Sequence, residues 1–129
     1  MESVFNADMD RLFKIKWIAE LAHETNRAYC EMLGDFSHLP WKDAPEWARV
    51  SAIDGVKRHL NNPSMTPEQS HQAWIDFKKK DGWVWGPNKD PMLKQHPCLV
   101  PYADLAVAQR MKDYVFTSVV RALDRMWEG

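Results

Sequence analysis

Apolar residues recur at helical spacing along two stretches in the first half of the chain. The range 7–33 carries one apolar stripe and ends before Gly34, a residue that suits a helix C-cap. A second stripe follows Asp43, which is expected to cap the helix, and Pro45, which fits its first turn. This second helix should end near residue 61, where two asparagines precede a proline.

Gly55 lies inside the second predicted helix, where glycine costs about 1 kcal/mol relative to alanine. A close backbone approach by another element or by a ligand would explain why glycine is accepted there. The sequence therefore predicts tight packing around this position.

The second half of the chain predicts two more helices and a long loop between them. Residues 66–69 (TPEQ) form a capping box with proline at the first helical position, so a third helix should span about 67–79. A fourth apolar stripe predicts a helix over about 105–127. The intervening segment 81–101 holds two glycines and four prolines, which is too broken for a helix and too long for an ordinary connection.

These elements predict an all-α fold class. About four helices surround one core, and a long ordered aromatic and proline-rich loop lies on them. All of residues 1–129 should form one domain, because this length is enough to bury about two thirds of the surface of the unfolded chain. Ordered loops as long as this one usually carry function, so the loop is the first place to look for a site.

Charge and cysteine content indicate which partners and which compartment to expect. The net charge of −1 provides no general field for nucleic acid or an anionic membrane. No apolar run is long enough to span a bilayer, and the N-terminus lacks the pattern of a signal peptide. Cys30 and Cys98 have no disulfide-type or metal-type spacing and are typical of thiols in a reducing compartment. We therefore expect a cytoplasmic protein that binds neither nucleic acid nor membranes.

Catalytic motifs are largely missing from the sequence. The pair His23 and Glu24 lacks the second histidine of a zinc-protease motif, and the histidines show no metal-ligand spacing. A Cys98 nucleophile with His96 two residues away is an open alternative, although this spacing does not guarantee hydrogen-bond geometry. The sequence therefore predicts a protein that is not an enzyme, with no metal site and no cofactor.

An ordered set of aromatic, charged and proline-flanked residues extends over about 66–123. Its members are His71, Trp74, residues 82–87 (GWVWGP), Asp90, Lys94, residues 96–102 (HPCLVPY), Leu105, Lys112 and Asp113. This set resembles the repeat domain of ryanodine receptors (RyR). The first half of the chain, with AHETNRAYCEMLGD and WKDAPEWARVSAIDGV, is similar to the stand-alone bacterial and bacteriophage form of this family.

The resemblance implies a helical domain without a catalytic centre. In the receptor members, aromatic residues offer faces between which an adenine nucleotide can stack, and the prokaryotic members are thought to sense ligands of the ADP-ribose type. The receptors carry the repeats as tandem pairs, whereas this chain holds one copy. A homodimer would take the place of such a pair.

The aromatic candidates for a binding site are Trp74, Trp83 and Trp85. Seven tryptophans are more than a core of this size requires, and two indoles can sandwich a purine. In an extended backbone, Trp83 and Trp85 would lie on the same side, with Val84 opposite. The alternative is that one or more of these indoles fills the core beneath the loop.

The polar candidates come from the loop and from the first helix. Lys89, Asp90, Lys94 and His96 would meet phosphates and sugar hydroxyls, or else belong to a solvated loop in which Asp90 caps a turn and His96 is buried. A further trio shares one face of the first helix and would close the pocket, unless this face is exposed and its arginine pairs with Glu24. The trio is His23, Asn26 and Arg27; Tyr102 and Lys112 are added from the family pattern.

An energy comparison favours an enclosed or shared pocket. Two stacked indoles contribute about 1–3 kcal/mol each and two charge-assisted hydrogen bonds about 1.5–3 kcal/mol each, against an association cost of about 4 kcal/mol or more. Micromolar affinity corresponds to about −8 kcal/mol, so a half-open site on one chain would be too weak. A homodimer is therefore expected.

The expected function is non-catalytic binding of a nucleotide-derived small molecule of the ADP-ribose or cyclic ADP-ribose type. Because the predicted elements use up the chain and leave no output domain, we expect sequestration: a bacteriophage sponge that removes an immune messenger from the host cytoplasm. The alternative is a protein–protein interaction module that uses the tryptophan-rich surface.

Overall fold

Four α-helices form the body of the molecule. The computed structural model describes residues 4–128, so residues 1–3 and 129 of the predicted domain lie outside the described residues. The helices are α1 (Val4–Met32), α2 (Glu46–Asn61), α3 (Pro67–Lys80) and α4 (Val107–Glu128). Two strands of two residues each, β1 (Val84–Trp85) and β2 (Gln95–His96), pair in parallel between α3 and α4. The predicted all-α class with four helices is confirmed.

Helix α1 ends at the predicted glycine. Gly34 has a φ of +90°, a left-handed conformation that glycine adopts without steric cost. Its N–H donates to the Glu31 carbonyl, and the N–H of Asp35 donates to the Cys30 carbonyl at 2.9 Å. These two bonds form a Schellman motif, which turns the chain back beside the last turn of α1.

The predicted start of α2 was wrong by a few residues. Asp43 does not cap this helix: it ends a short 3-10 turn over Trp41–Asp43, and its own N–H donates to the Pro40 carbonyl. Ala44 then adopts an extended conformation because the ring of the following Pro45 disfavours helical dihedrals at the preceding residue. Pro45 occupies the N-cap position without any side-chain cap, and the helix begins at Glu46.

The predicted capping box at the start of α3 is confirmed. The Thr66 hydroxyl accepts from the Gln69 N–H at 3.1 Å, and the Gln69 side chain accepts from the Thr66 N–H at 2.9 Å. Pro67 stands at the first helical position, where its missing N–H costs nothing. The box therefore satisfies two backbone donors that the helix itself cannot satisfy.

Replacing Thr66 by alanine should lower the free energy of unfolding by about 1 kcal/mol, because it leaves the Gln69 N–H without its acceptor. Urea denaturation followed by circular dichroism measures this loss. Ser64→Ala, two residues before the cap, is the matched control and should change the unfolding midpoint much less. Equal midpoints for Thr66→Ala and the wild type would contradict the assignment.

In the described part of the chain, buried apolar side chains pack into two clusters. The larger one joins α1, α2 and α4 through Ile15, Ile18, Ala19, Val56 and Val120. The smaller one lies between α3 and the loop and consists of Ile75, Trp83 and Leu99, with Trp47 and Trp74 packed against it. The single core expected from the sequence is thus divided, and a cavity lies where the clusters approach each other.

Gly55 confirms the predicted close approach. A Cβ atom at this position would lie 2.9 Å from the Cζ atom of Phe116, a partly buried ring on α4 that packs against the larger cluster. Such a distance is shorter than real Cβ contacts allow, so glycine lets α4 pack tightly onto α2.

The loop 81–101 is held by backbone hydrogen bonds rather than by a helix. The Val84 N–H donates to the Lys94 carbonyl at 2.9 Å, and Asp90 and Gln95 exchange two backbone bonds in an antiparallel bridge. Gly82 and Lys94 take positive φ values where the chain turns into and out of this small structure. The loop therefore presents a defined surface against α3.

None of the helices in the described part of the chain is long and apolar enough to cross a membrane.

Candidate functional site

A cavity of about 270 Å³ lies among all four helices and the loop 81–101. Its floor and walls combine aromatic rings with an unusual number of basic side chains. These lining residues include Trp47, Trp74, Phe77, Lys78, Lys89, Lys112, Phe116, His23, Asn26, His38, His71, His96, Gln109 and Asp113. The mixture of rings and cations is the property that defines the site, and we call it the cationic cavity.

Trp74 is the central ring of the cationic cavity. It projects from α3 and stacks on His71 of the preceding turn, with ring centroids 5.5 Å apart and an interplanar angle of 28°. On another side, the His96 ring meets Trp74 edge-on at 5.0 Å. Because both neighbours restrict its rotation, this indole offers a preorganised face for a flat ligand.

Lys78 stands one helical turn after Trp74 and is only 3% exposed. Its ammonium group lies over the rings of Trp47 at 4.8 Å and Trp83 at 4.7 Å. Burial lowers the Lys78 pKa to about 8, against a weaker opposing effect of the Asp81 charge. The two indole faces partly replace the hydration that this charge loses.

Two further lysines bring positive charge to the cationic cavity. Taken over all its atoms, Lys89 is exposed. Its ammonium group lies 5.7 Å from the centroid of the Trp47 ring. Lost hydration around that ammonium group lowers the Lys89 pKa, while the Asp35 charge opposes this effect and the Lys112 charge reinforces it. Within residues 9–127, no carboxylate oxygen lies within 4.0 Å of the ammonium group of Lys89 or Lys112. These two cations therefore have no direct counter-charge from the protein.

The neighbouring histidines are held in the neutral form. Burial lowers the His96 pKa to about 3 and the His38 pKa to about 4, and the charge of Lys89 contributes to both shifts. The Nδ1 atom of His96 accepts from the Cys98 N–H at 3.0 Å, so the ring proton resides on Nε2. His96 is therefore a neutral donor at neutral pH, and within the described residues its Nε2 makes no hydrogen bond to the protein.

Asp113 is one of two aspartates among the cavity-lining residues, and the other, Asp54, pairs with Arg58 at 2.7 Å. Burial raises its pKa to about 7, against the opposing charge of Lys112. One carboxyl oxygen lies 3.6 Å from Nδ1 of His71, whose Nε2 donates to the Val100 carbonyl at 2.8 Å. Because the His71 pKa is lowered by burial, Nδ1 has no proton to offer an ionised Asp113. Near neutral pH the Asp113 carboxyl is therefore only partly ionised and offsets only part of the positive charge of the site.

Six of the residues predicted for the site line the cationic cavity. The three from the third helix and the loop stand together around the aromatic face, and the two from α1 lie on the other side of the cavity. His23 already has partners within the protein, because its Nε2 lies 2.7 Å from the Leu39 carbonyl and its ring contacts Trp41. The six are Trp74, Lys89, His96, His23, Asn26 and, from α4, Lys112.

Trp83 and Trp85 are not among the cavity-lining residues. Trp83 is 3% exposed and fills the smaller core cluster, where its indole N–H donates to an Asp81 carboxylate oxygen at 3.3 Å. Trp85 is 57% exposed. The two indoles therefore do not form the predicted common platform, because the first is anchored under the loop by Ile75 and Leu99.

Four other predicted residues also lie outside the cavity lining. Asp90 accepts from two backbone N–H groups and caps a turn, as the alternative reading of the loop proposed. The Lys94 ammonium group donates to the Asp81 carbonyl at 2.7 Å. Arg27 pairs with Glu24 and Glu31 on the surface of α1. The ring of Tyr102 lies beside the ring of His71, with centroids 5.9 Å apart, so Tyr102 contacts a cavity-lining residue without lining the cavity itself.

Several lining residues were missed as sites because their surroundings depend on tertiary packing. Lys78 belongs to a run of three lysines that has the pattern of a solvated helix end. Trp47 lies on the apolar stripe of α2, which has the pattern of a core position, and His38 lies in the connection before this helix. Only the spacing of Trp74 and Lys78, four residues apart on one helix face, carried a usable signal.

A comparison with known protein families identifies the family to which this fold belongs. The RyR domain family matches residues 47–126, from the first turn of α2 to the last turns of α4. The matched region supplies Trp47, Trp74, Lys78, Lys89 and Lys112, so most of the basic and aromatic side chains of the cationic cavity lie within it. It has the character of a binding or interaction module. The chain belongs to the RyR domain family.

Proposed function

We propose that this protein binds a nucleotide-derived small molecule of the ADP-ribose or cyclic ADP-ribose type in the cationic cavity and releases it unaltered. One observation carries the proposal: the ammonium groups of Lys89 and Lys112 face a ring-lined cavity with no carboxylate within 4.0 Å among the described residues. Such an arrangement leaves positive charge that a phosphate group would neutralise. A base placed against Trp74 would complete the same ligand.

The size of the cavity favours a ligand that is only partly enclosed. Its volume of about 270 Å³ lies just below the range of about 300–1,000 Å³ that is typical of small-molecule pockets. A dinucleotide-sized ligand would therefore extend through the mouth near Lys89. We include a homodimer in the proposal, since a second copy would cover this exposed part. Exposed apolar side chains close to the cavity residue His38 would favour the contact, and they are Met32, Leu33, Phe36 and Leu39.

The absence of catalysis in this proposal rests on the state of Cys98 and His96. Burial raises the Cys98 pKa, which disfavours the thiolate that a nucleophile requires. The Nδ1 lone pair of His96 is occupied by the Cys98 N–H, so this nitrogen does not take the thiol proton. The thiol instead lies 3.4 Å from the Gln109 side-chain oxygen. These contacts favour binding over a covalent mechanism.

Sequestration is the biological role that we attach to this binding. A protein of this kind, made by a bacteriophage in the cytoplasm of its host, would lower the free concentration of an immune messenger without consuming it. Both cysteines are free thiols, which is compatible with a reducing compartment. Recovery of the intact messenger after denaturation of the complex would support sequestration, and a chemically altered product would contradict it.

Two tryptophan variants separate the proposed ligand site from the outer surface of the loop. Trp74→Leu should weaken ADP-ribose binding by about tenfold or more, since stacking on one ring contributes about 1–3 kcal/mol. Trp85→Leu, an equal change at an exposed ring outside the cavity lining, should leave the affinity unchanged. Isothermal titration calorimetry of both variants measures the difference. Equal affinities would refute the assignment of Trp74.

A second candidate function is a protein–protein interaction module. It is favoured by an apolar group on the outside of the loop, where Val84, Trp85, Met92 and Leu93 are all more than half exposed. Exposed apolar residues that are grouped together are typical of contact surfaces. Under this alternative, Trp85→Leu would abolish association with the partner while Trp74→Leu would preserve it, the reverse of the pattern expected for the ligand.

A further inference from the structure

Three side chains with metal-binding atoms converge where α1 ends. The Sγ atom of Cys30, a carboxylate oxygen of Asp35 and an imidazole nitrogen of His38 all lie within 4.8 Å of one another. The Schellman motif at Gly34 produces this convergence, because its bond from the Asp35 N–H to the Cys30 carbonyl turns the chain back on the helix. The three residues are close in sequence, yet the spacing Cys-x4-Asp-x2-His matches no common zinc motif.

An unsatisfied nitrogen gives a second and independent indication of a ligand. The Nδ1 atom of His38 is buried and has no hydrogen-bond partner among the described residues. Buried polar nitrogens almost always have one, so its isolation requires an explanation. An imidazole nitrogen without a hydrogen-bond partner is free to donate its lone pair to a metal ion.

The separation of the donor atoms suits a tetrahedral ion. Zinc binds imidazole nitrogen at about 2.0–2.1 Å and carboxylate oxygen at about 2.0–2.2 Å, which places two such ligands about 3.4 Å apart in a tetrahedral site. Nδ1 of His38 and Oδ2 of Asp35 are 3.6 Å apart. This nitrogen and this oxygen would need to move by only a few tenths of an ångström, and the Cys30 Sγ atom, within 4.8 Å of both, would move toward the ion to complete the set.

The carboxylate of Asp35 is already oriented for this role. Its Oδ1 atom accepts from the Ser37 N–H at 3.0 Å and from the Ser37 hydroxyl at 2.6 Å. These bonds fix the carboxylate and leave Oδ2 directed to the His38 side. Bonds from neighbouring residues to a ligating carboxylate are a usual feature of metal sites.

We propose that Cys30, Asp35 and His38 bind a zinc ion through Sγ, Oδ2 and Nδ1. Sulfur and nitrogen donors together with one carboxylate favour zinc over magnesium or calcium, which prefer oxygen alone. Three protein ligands leave the fourth position open. Because His38 also lines the cationic cavity, the ion would lie at its edge.

The charges around the three ligands decide whether a cation is tolerated. Burial raises the Cys30 pKa, and the Lys112 ammonium group opposes this by favouring the thiolate. The charges of Lys89 and Lys112 oppose a nearby cation. The Cys30 thiolate and the Asp35 carboxylate supply two negative charges, which offset the two positive charges of zinc. Binding therefore releases the thiol proton to solvent, and affinity should increase with pH.

Cobalt(II) tests the site without any nucleotide. Purified full-length protein, stripped with a chelator and titrated with cobalt(II), should develop a thiolate-to-metal absorption band at one ion per chain, and zinc should displace the cobalt. Cys30→Ser should abolish the band, whereas Cys98→Ser, the matched control at the other thiol, should retain it. The opposite pattern, or no band at all, would overturn the proposal.

Two milder variants decide the question if Cys30→Ser does not fold. Asp35→Asn and His38→Gln keep similar shapes at partly buried positions, and each should weaken zinc affinity by at least about tenfold in competition with a chromophoric chelator. Unchanged affinity in both variants would refute the site. The metal result is independent of the proposed nucleotide binding, because it is measured with the metal alone.

Discussion

Replacing Lys112 by methionine is expected to weaken ADP-ribose binding by about tenfold to a hundredfold. A hydrogen bond between an ammonium group and a phosphate contributes about 1.5–3 kcal/mol, and methionine keeps the length of the side chain without its charge. Lys89→Met should have a similar effect, because this side chain also reaches the cavity without a neighbouring carboxylate. The double variant should lose binding at micromolar concentrations. Isothermal titration calorimetry in the presence of a chelator measures each affinity.

Lys57→Met is the matched control for the two lysine variants. Lys57 is an exposed residue of α2 that does not line the cationic cavity, so the change removes the same net charge from the protein. Its affinity should therefore equal that of the wild type apart from a small, salt-sensitive effect. A loss as large as that of Lys112→Met would mean that net charge, and not the cavity, determines binding.

Asp113→Asn is expected to stabilise the protein at alkaline pH by up to about 4 kcal/mol. Burial raises the Asp113 pKa from 3.8 to about 7, so the folded state binds more protons than the unfolded state between these values. The wild type therefore loses this contribution as the pH rises from about 4 to about 7, whereas asparagine does not titrate. A shift of about three units corresponds to about 4 kcal/mol. Urea denaturation of both proteins from pH 4 to pH 8 measures the difference.

Comparing the wild type with Asp113→Asn separates the effect of the Asp113 carboxyl group on stability from the opposite effect of the buried histidines. His96 and His38, with pKa values lowered to about 3 and about 4, make the folded state more stable as the pH rises toward 6.5. Because both proteins contain these histidines, their contribution cancels in the difference. The gap between the two stability curves should widen from pH 4 to pH 7 and then stay constant. Parallel curves would show that the pKa of Asp113 is not raised in the folded state.

Helix boundaries were predictable where local chemistry fixes them. The capping box at Thr66 and the glycine at position 34 satisfy backbone groups within a few residues, so the sequence alone determines them. Asp43 does not act as a cap because Pro45 constrains the residue between them to an extended conformation. Periodicity showed which segments are helices, whereas proline chemistry decided where α2 begins.

Parts of the cationic cavity were predictable because they lie on segments rich in rings and charges. Trp74, Lys89 and His96 stand on α3 and the loop, and the structure brings them together. Trp83 fills the core, the alternative left open for the three indoles, because an alternating pattern gives the side of a strand and not the depth beneath a loop. Lys78 looked like a solvated residue, since the indoles that bury it come from α2 and the loop.

Calorimetric titration of the purified wild-type protein with ADP-ribose tests the central claim most directly. The account predicts saturable binding at micromolar or lower concentration with one ligand per chain. The ligand should be recovered chemically intact after the protein is denatured. Absence of heat and of saturation up to high micromolar concentrations of ADP-ribose, cyclic ADP-ribose isomers and ATP would contradict it.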